Sequence, residues 1–103
     1  MKYDKLVRDK IPEIIEKSGK TAVTRMLDDD EYKIYLEKKL DEEVAEFHES
    51  KSIKELADIM QVVYTLASVF GYCPADIYSA RIEKIIDRGG FENKILLQEV
   101  RDE

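Results

Sequence analysis

The 103-residue sequence has one cysteine, one histidine and no tryptophan, and these scarcities exclude several kinds of site. A lone Cys73 can form neither an intrachain disulfide framework nor a cysteine zinc site. The single His48 stands two residues after Glu46, whereas carboxylate-bridged di-iron bundles use the spacing Glu-x-x-His. The sequence also lacks a Walker loop, a dinucleotide fingerprint and a Ser/His/Asp order. Carboxylates, lysines and arginines remain as the groups that could carry chemistry.

Long apolar runs and an excess of basic residues are missing as well. No run approaches the roughly 20 apolar residues that span a bilayer, and no apolar signal-peptide core follows residues 1–5. We therefore expect a cytoplasmic protein without a membrane partner. The net charge of −6, from 17 basic and 23 acidic residues, argues against nucleic acid as the main partner. A small phosphorylated ligand is compatible with this charge if a metal ion and local cations hold it.

Glycine and proline are few, and most of them mark expected helix ends. Pro12 and Gly19 bracket a first helix over residues 12–17. Pro74 opens a last helix, which we expect to end at Arg88. Its inward-facing residues are expected to be Ile77, Tyr78, Ile82, Ile85 and Ile86. A hydrophobic fraction of 44% and a charged fraction of 39% fit one helix-rich domain over residues 1–103.

Two longer helices are predicted between these ends. Asp28 and Glu31 have the spacing of a capping box, so a helix is expected from there to about Glu49. The next helix, from about Ile53 to Phe70, is the most apolar in the chain. Its apolar stripe is wide enough to be buried on more than one side. One hairpin cannot cover it, and we therefore expect a further helix and a second subunit, in a homodimer or a homotetramer.

Two stretches with strand character flank this helical region. Residues 21–27 alternate roughly between polar and apolar types and include β-branched side chains. A single strand needs a partner, and residues 94–100 are the best one available. The sequence thus predicts an all-α fold, a helical-hairpin bundle of about four helices, with a small two-stranded β pairing of residues 21–27 and 94–100.

Four carboxylates in the middle of the chain occupy matched positions. Glu43 and Glu46 are three residues apart and share one face of a helix, as do Glu55 and Asp58 on the next helix. The two pairs are equally distant from a turn centred between residues 50 and 51. If the helices run antiparallel, the pairs face each other at equal depth and form one four-carboxylate cluster.

Such a cluster is costly without a counter-charge. Two unit charges roughly 4 Å apart repel by about 4 kcal/mol at an effective dielectric constant of 20. Either some of the carboxyl groups are protonated, or divalent cations lie among them, since hard cations prefer oxygen ligands. The alternative is two solvated helix faces that never meet. The matched depth and the apolar flanks favour the cluster.

Basic residues near both ends of the chain are potential phosphate ligands. Lys5, Arg8 and Lys10 lie within six residues of one another, close to the start of the first helix, where anions are favoured. The alternative is ordinary surface charge that pairs with neighbouring acidic residues. Arg88 precedes two glycines that leave the backbone open to a ligand, although a plain helix C-cap explains them equally well.

Taken together, these segments resemble a known family, the all-α nucleotide pyrophosphohydrolases of the MazG-like and phosphoribosyl-ATP pyrophosphohydrolase-like group. The family pattern E-x-x-E followed by E-x-x-D matches residues 43–46 and 55–58. Residues 38–43 look like the segment before the first motif, and residues 3–12 and 88–91 are similar to the ends of a small branch of the group. Eight residues separate the two motifs, fewer than in most of the group, so the hairpin loop must be tight.

The resemblance implies a hydrolase that acts on an acid anhydride. It implies Mg²⁺-dependent cleavage of a nucleoside triphosphate between the α and β phosphates, with Mn²⁺ as a substitute ion and a nucleotide or phosphoribosyl-type substrate. The implied metal ligands are Glu43, Glu46, Glu55 and Asp58. Glu42 and Glu43 are the implied groups that orient or deprotonate the attacking water. The implied phosphate ligands are Lys5, Arg8, Lys10, Lys39 and Arg88. The alternative is a helical dimer that binds a nucleotide without catalysis.

Overall fold

The computed structural model describes residues 4–102 and contains four α-helices in this range. They are α1 (Ile11–Lys17), α2 (Asp29–Ser50), α3 (Ile53–Val69) and α4 (Pro74–Arg88). The prediction of an all-α fold with about four helices is confirmed.

The helices begin and end at capping residues, glycines and prolines of the sequence. Asp28 accepts a hydrogen bond from the Glu31 N–H at 2.9 Å, and the Glu31 carboxylate accepts one from the Asp28 N–H at 3.5 Å. The predicted capping box is therefore present at the start of α2. Gly19 follows α1 with φ +91°, a left-handed conformation that favours glycine, and Pro74 occupies the first position of α4.

A very short turn joins α2 to α3. Lys51 adopts the left-handed conformation with φ 56°, and its N–H donates to the Phe47 carbonyl at 2.8 Å. Ser52 then caps α3, since its hydroxyl accepts from the Lys54 N–H at 3.0 Å. Two residues thus reverse the chain, which confirms the expected tight loop and makes α2 and α3 an antiparallel hairpin.

The apolar core of a single chain is small. Leu36 of α2 and Val62 of α3 are the buried apolar side chains among residues 4–102, and they belong to the two helices that pack on each other. Helix α4 packs only on α3, from which it bends away by 109°. Tyr78 and Ile86 are therefore largely exposed, and the prediction that the apolar residues of α4 all face inward is wrong.

The predicted β pairing is also wrong. Neither residues 21–27 nor residues 94–100 form a strand, and the described part of the chain contains no sheet. Val23 and Met26 are each at least 95% exposed. Alternation of residue types fits a strand only where a second strand and a covering layer exist, and the helices of this chain provide no such layer here.

The four helices form an elongated molecule. The chain measures 66 × 32 × 23 Å with a radius of gyration of 18.5 Å, compared with about 13 Å for a compact domain of this length. No single helix of residues 4–102 is both long and apolar enough to cross a membrane; α3 and α4 reach that length and composition only as a pair across their bend.

The backbone of Lys51 leads to the first prediction. Its left-handed conformation costs a residue with a Cβ about 1 kcal/mol relative to glycine. We expect Lys51→Gly to raise the free energy of unfolding by about that amount, as measured by urea unfolding followed by circular dichroism. Lys51→Ala is the control, because it removes the contact of the Lys51 ammonium with the Phe47 ring (5.4 Å) but keeps the Cβ. A gain in the alanine variant as large as in the glycine variant would contradict the backbone explanation.

Candidate metal and phosphate site

Glu43 lies at the centre of the candidate site. Helix α2 directs it towards α3, and only 4% of its surface is exposed. Its Oε1 atom accepts from Lys39 Nζ at 3.2 Å, whereas Oε2 is buried without a hydrogen-bond partner. A buried acceptor without a partner costs about 1–3 kcal/mol. The fold thus keeps one carboxylate oxygen of Glu43 shielded from water and without a hydrogen-bond partner.

Two further glutamates of α2, Glu42 and Glu46, lie close to Glu43. One carboxylate oxygen each from Glu42, Glu43 and Glu46 lies within 4.8 Å of the others. Exposed acidic groups alone are common on protein surfaces, but here the middle member is buried and has an unused oxygen. This donor set consists only of oxygen atoms, the type that Mg²⁺ and Mn²⁺ prefer.

Helix α3 adds Asp58 from the other side of the hairpin. Asp58 is half-buried and lines the same two clefts as Glu43. Glu55 is half-buried too, and its Oε2 atom is shielded from solvent without a hydrogen-bond partner. Glu55 belongs neither to the three-glutamate group nor to the cleft walls, so its role as a ligand stays a prediction.

Three cations surround these carboxylates. Lys39 Nζ donates to Glu42 Oε2 at 3.1 Å as well as to Glu43. Lys5 Nζ donates to Glu42 Oε1 at 3.2 Å, and Arg8 Nη2 donates to Asp58 Oδ1 at 2.6 Å. The N-terminal arm, residues 4–10, is therefore attached to both helices of the hairpin through charge-assisted hydrogen bonds.

The arm and the hairpin enclose two adjoining clefts of about 370 and 240 Å³. Both clefts contain Arg8, Lys39, Glu43 and Asp58 in their walls. The larger volume lies in the range of small-molecule sites. The two clefts therefore place acidic and basic groups side by side, as a metal-bound phosphate requires.

Burial and neighbouring charges shift the pKa values of three groups in the site, Glu43, Glu42 and Lys39. Burial raises the pKa of Glu43, and the nearby charges of Glu46 and Asp58 add to this effect, against the hydrogen bond from Lys39. Burial also opposes ionisation of Glu42, but hydrogen bonds from Lys39 and Lys5 outweigh it and lower its pKa. The pKa of Lys39 is raised because its two carboxylate partners outweigh its burial, so Lys39 stays protonated at neutral pH.

Two predicted phosphate ligands are not brought to the clefts. Lys10 is exposed just before α1, and Arg88 is exposed at the end of α4. Neither lines a cleft.

Four polar residues of the larger cleft were not predicted as site residues, namely Asp9, Tyr32, Gln61 and Thr65. Tyr32 lies on α2 at helical steps from Leu36, Lys39 and Glu43. Gln61 and Thr65 follow Asp58 in the same way along α3. If the carboxylate faces of α2 and α3 are extended by two or three helical turns away from the hairpin turn, they include the three helical residues.

Comparison with known proteins adds little to this geometry. No protein-family model matches the chain, and no solved structure matches it. One relative among curated proteins is an uncharacterized protein of Mycolicibacterium smegmatis, 66% identical over 41 residues. The match covers 40% of this chain and 42% of the relative, so it does not establish a family.

The burial of the Lys39–Glu43 pair leads to a second prediction. Lys39→Met keeps the aliphatic stem but removes the cation, and we expect it to lower the free energy of unfolding by about 2 kcal/mol at neutral pH in chelator. The loss of Lys39 raises the folded-state pKa of Glu43 further, so the folded state binds the proton of the Glu43 carboxyl group more strongly. The loss of stability in Lys39→Met should therefore be small near the unfolded-state pKa of Glu43. It should grow as the pH rises through the folded-state pKa.

Lys38→Met is the matched control for this measurement. Lys38 is exposed on the same helix, and its ammonium contacts the Tyr35 ring at 4.9 Å rather than a site carboxylate. We expect Lys38→Met to lower the free energy of unfolding by less than about 1 kcal/mol at every pH. Equal deficits in the two variants, or a Lys39→Met deficit independent of pH, would show that Lys39 does not hold the charge of Glu43.

Proposed function

We propose that this protein is a Mg²⁺-dependent nucleoside triphosphate pyrophosphohydrolase of the all-α, MazG-like type. It would cleave between the α and β phosphates and release a nucleoside monophosphate and pyrophosphate. The observation that carries the proposal is the buried Glu43, whose Oε2 atom has no hydrogen-bond partner and which lines a cleft together with Arg8 and Lys39. A cytoplasmic location is part of the proposal.

The residues present fit a hard divalent cation. Glu43 Oε2 would be the innermost ligand, with Glu42 or Glu46 beside it and Asp58 opposite; Glu55 completes the family pattern. A bound Mg²⁺ would lower the pKa of a coordinated water and offset the charge on the phosphate oxygens. Without a cation, these carboxylates depend for neutralisation on Lys39, Lys5 and Arg8.

The protein groups have separate tasks in this reaction. Water adds to the α-phosphorus, the bond from that phosphorus to the bridging oxygen breaks, and pyrophosphate leaves. Glu43, as a ligand of the cation, would orient the water, and Glu42 would accept its proton. Arg8 and Lys5, which pair with Asp58 and Glu42, would contact phosphate oxygens, since their hydrogen-bond partners in the site are anionic already.

Turnover provides the third prediction. A panel of nucleoside triphosphates with Mg²⁺ should give pyrophosphate, not inorganic phosphate, with at least one substrate. We expect Glu43→Gln and Asp58→Asn to lower kcat/KM about 100-fold or more, because each removes a charged ligand from the cation. Glu37→Gln, the same change at an exposed position of α2, should keep wild-type turnover.

The same panel tests the non-catalytic alternative. A nucleotide-binding helical module would bind a triphosphate in calorimetry and release no product with any metal ion. Full turnover of both Glu43→Gln and Asp58→Asn would remove these residues from the mechanism.

Thermal unfolding gives a fourth prediction that does not depend on finding the substrate. We expect Mg²⁺ or Mn²⁺ alone to raise the Tm of the wild type, because the stabilisation grows with the logarithm of 1 + [M²⁺]/Kd. Glu43→Gln should lose this rise. In chelator its Tm should equal or exceed that of the wild type, because the buried negative charge beside Glu46 and Asp58 is gone. Glu37→Gln should keep the metal-dependent rise, and a rise of equal size in Glu43→Gln would place the cation elsewhere.

A further inference from the structure

The two clefts share charged wall residues, but each cleft adds a charge of opposite sign. Lys5 lines only the smaller cleft, and Asp9 lines only the larger one. A triphosphate chain is attracted by a lysine and repelled by a carboxylate. With its α-phosphate beside Glu43 and Asp58, which line both clefts, a nucleotide would therefore place its terminal phosphates in the smaller cleft and its nucleoside in the larger one.

The larger cleft extends along the hairpin, away from the turn. On α3 it reaches from Asp58 to Thr65, about 10 Å along the helix axis. Apart from Asp9, the residues that line only the larger cleft are uncharged: Leu6, Tyr32, Leu36, Gln61, Val62 and Thr65. Apolar walls with a few polar groups suit the flat face and the polar edge of a nucleobase. A base at this end would leave its sugar between it and the shared walls.

Asp9 lies where this sugar would be. It follows Arg8 in the chain, and the Cα atoms of consecutive residues are about 3.8 Å apart. Arg8 Nη2 donates to Asp58 Oδ1 at 2.6 Å, so Arg8 marks the part of the cleft where the α-phosphate would bind. In a nucleotide the sugar is bonded directly to the α-phosphate, whereas the base is further away. The group nearest to Asp9 would therefore be the sugar.

A backbone turn fixes the position of Asp9. The Ile11 N–H donates to the Arg8 carbonyl at 3.0 Å, which makes Asp9 the second residue of a four-residue turn. Lys10, the third residue, has φ −89° and ψ −5°, the values of that position in a type I turn. The turn is attached to α3 at Arg8 and continues directly into α1. A ligand of Asp9 would therefore bind a backbone that is already ordered.

The carboxylate of Asp9 keeps its acceptor capacity. Within residues 4–102 it pairs with no cation and accepts no hydrogen bond, whereas Glu43 and Asp58 are paired with Lys39 and Arg8. It is also not part of the three-glutamate group that could hold a cation. A carboxylate accepts hydrogen bonds and donates none, and the two hydroxyls of a ribose are donors that suit it. Dinucleotide-binding folds hold a ribose 2′-hydroxyl with a carboxylate in the same way.

We propose that Asp9 selects ribonucleotides over 2′-deoxyribonucleotides by accepting hydrogen bonds from the ribose hydroxyls of a nucleotide in the larger cleft. The proposal rests on nucleotide binding in the proposed site and goes beyond it, because it names the sugar and the residue that recognises it. A fully buried site can reject an analogue that lacks one hydroxyl by about 10⁴-fold. Asp9 is exposed, so we expect a smaller discrimination of about tenfold.

Titration calorimetry with nucleoside monophosphates and Mg²⁺ measures this selectivity without depending on turnover. The probes are AMP, CMP, GMP, UMP and their 2′-deoxy counterparts, which contain the α-phosphate and the sugar but no cleavable anhydride. At least one ribonucleotide should bind the wild type about tenfold more tightly than its deoxy counterpart. Asp9→Asn should lose most of this ratio by weakening the ribonucleotide alone. The kcat/KM values of the matching triphosphate pairs should change in the same way.

Asp4→Asn is the matched control. It makes the same change of charge on the same arm, at a residue that lines neither cleft, and it should keep the wild-type ratio. Equal affinities of the wild type for ribose and deoxyribose forms would overturn the proposal, and so would a ratio that Asp9→Asn leaves unchanged. An equal loss for both sugars, confined to bases with an amino group, would place the carboxylate at the base and also overturn it.

The same measurements separate this proposal from the proposed function. Pyrophosphate release without sugar selectivity would keep the hydrolase and remove the role of Asp9. Sugar selectivity that depends on Asp9, without pyrophosphate release, would keep the role of Asp9 and remove the hydrolase. A chain that neither binds nor cleaves any of these nucleotides would contradict both.

Discussion

The two-residue turn between α2 and α3 is the constraint on which the site depends. Lys51 in its left-handed conformation and the cap at Ser52 fix where α3 starts and how it is rotated relative to α2. One inserted residue would rotate α3 by about 100° and turn Asp58 away from Glu43. The shortness of the turn is thus a condition for bringing carboxylates from two helices to one cleft.

Charge compensation is the second condition, and it joins distant parts of the sequence. Lys39 neutralises Glu43 from one helical turn away, whereas Lys5 and Arg8 come from an irregular arm at the N-terminus. Exposed ion pairs are worth at most about 1 kcal/mol each. Arm contacts of this strength hold the cleft together, and in the proposed reaction they would exchange for a phosphate group, which has the same kind of acceptor oxygen as a carboxylate.

The features that could be predicted from the sequence depend on interactions between residues that are close together in the chain. The capping box at Asp28 and Pro74 at the start of α4 depend on neighbours within a few residues, so the sequence indicates the helix ends directly. The carboxylate faces follow from the helical repeat, and the structure brings Asp58 to the same cleft as Glu43. By contrast, the direction of α4 depends on which other elements can pack against it, and the expected strands depended on a covering layer that residues 4–102 do not form. Both require information about distant parts of the fold.

The hairpin is divided along its length into a charged half and an apolar half. The turn-proximal half of the α2–α3 interface contains Glu43 and Asp58, and the distal half contains the buried Leu36 and Val62. A face that holds buried charge contributes little burial of apolar surface and includes unfavourable desolvation. The apolar side chains of α3 that face α2 therefore stabilise the hairpin only weakly by themselves.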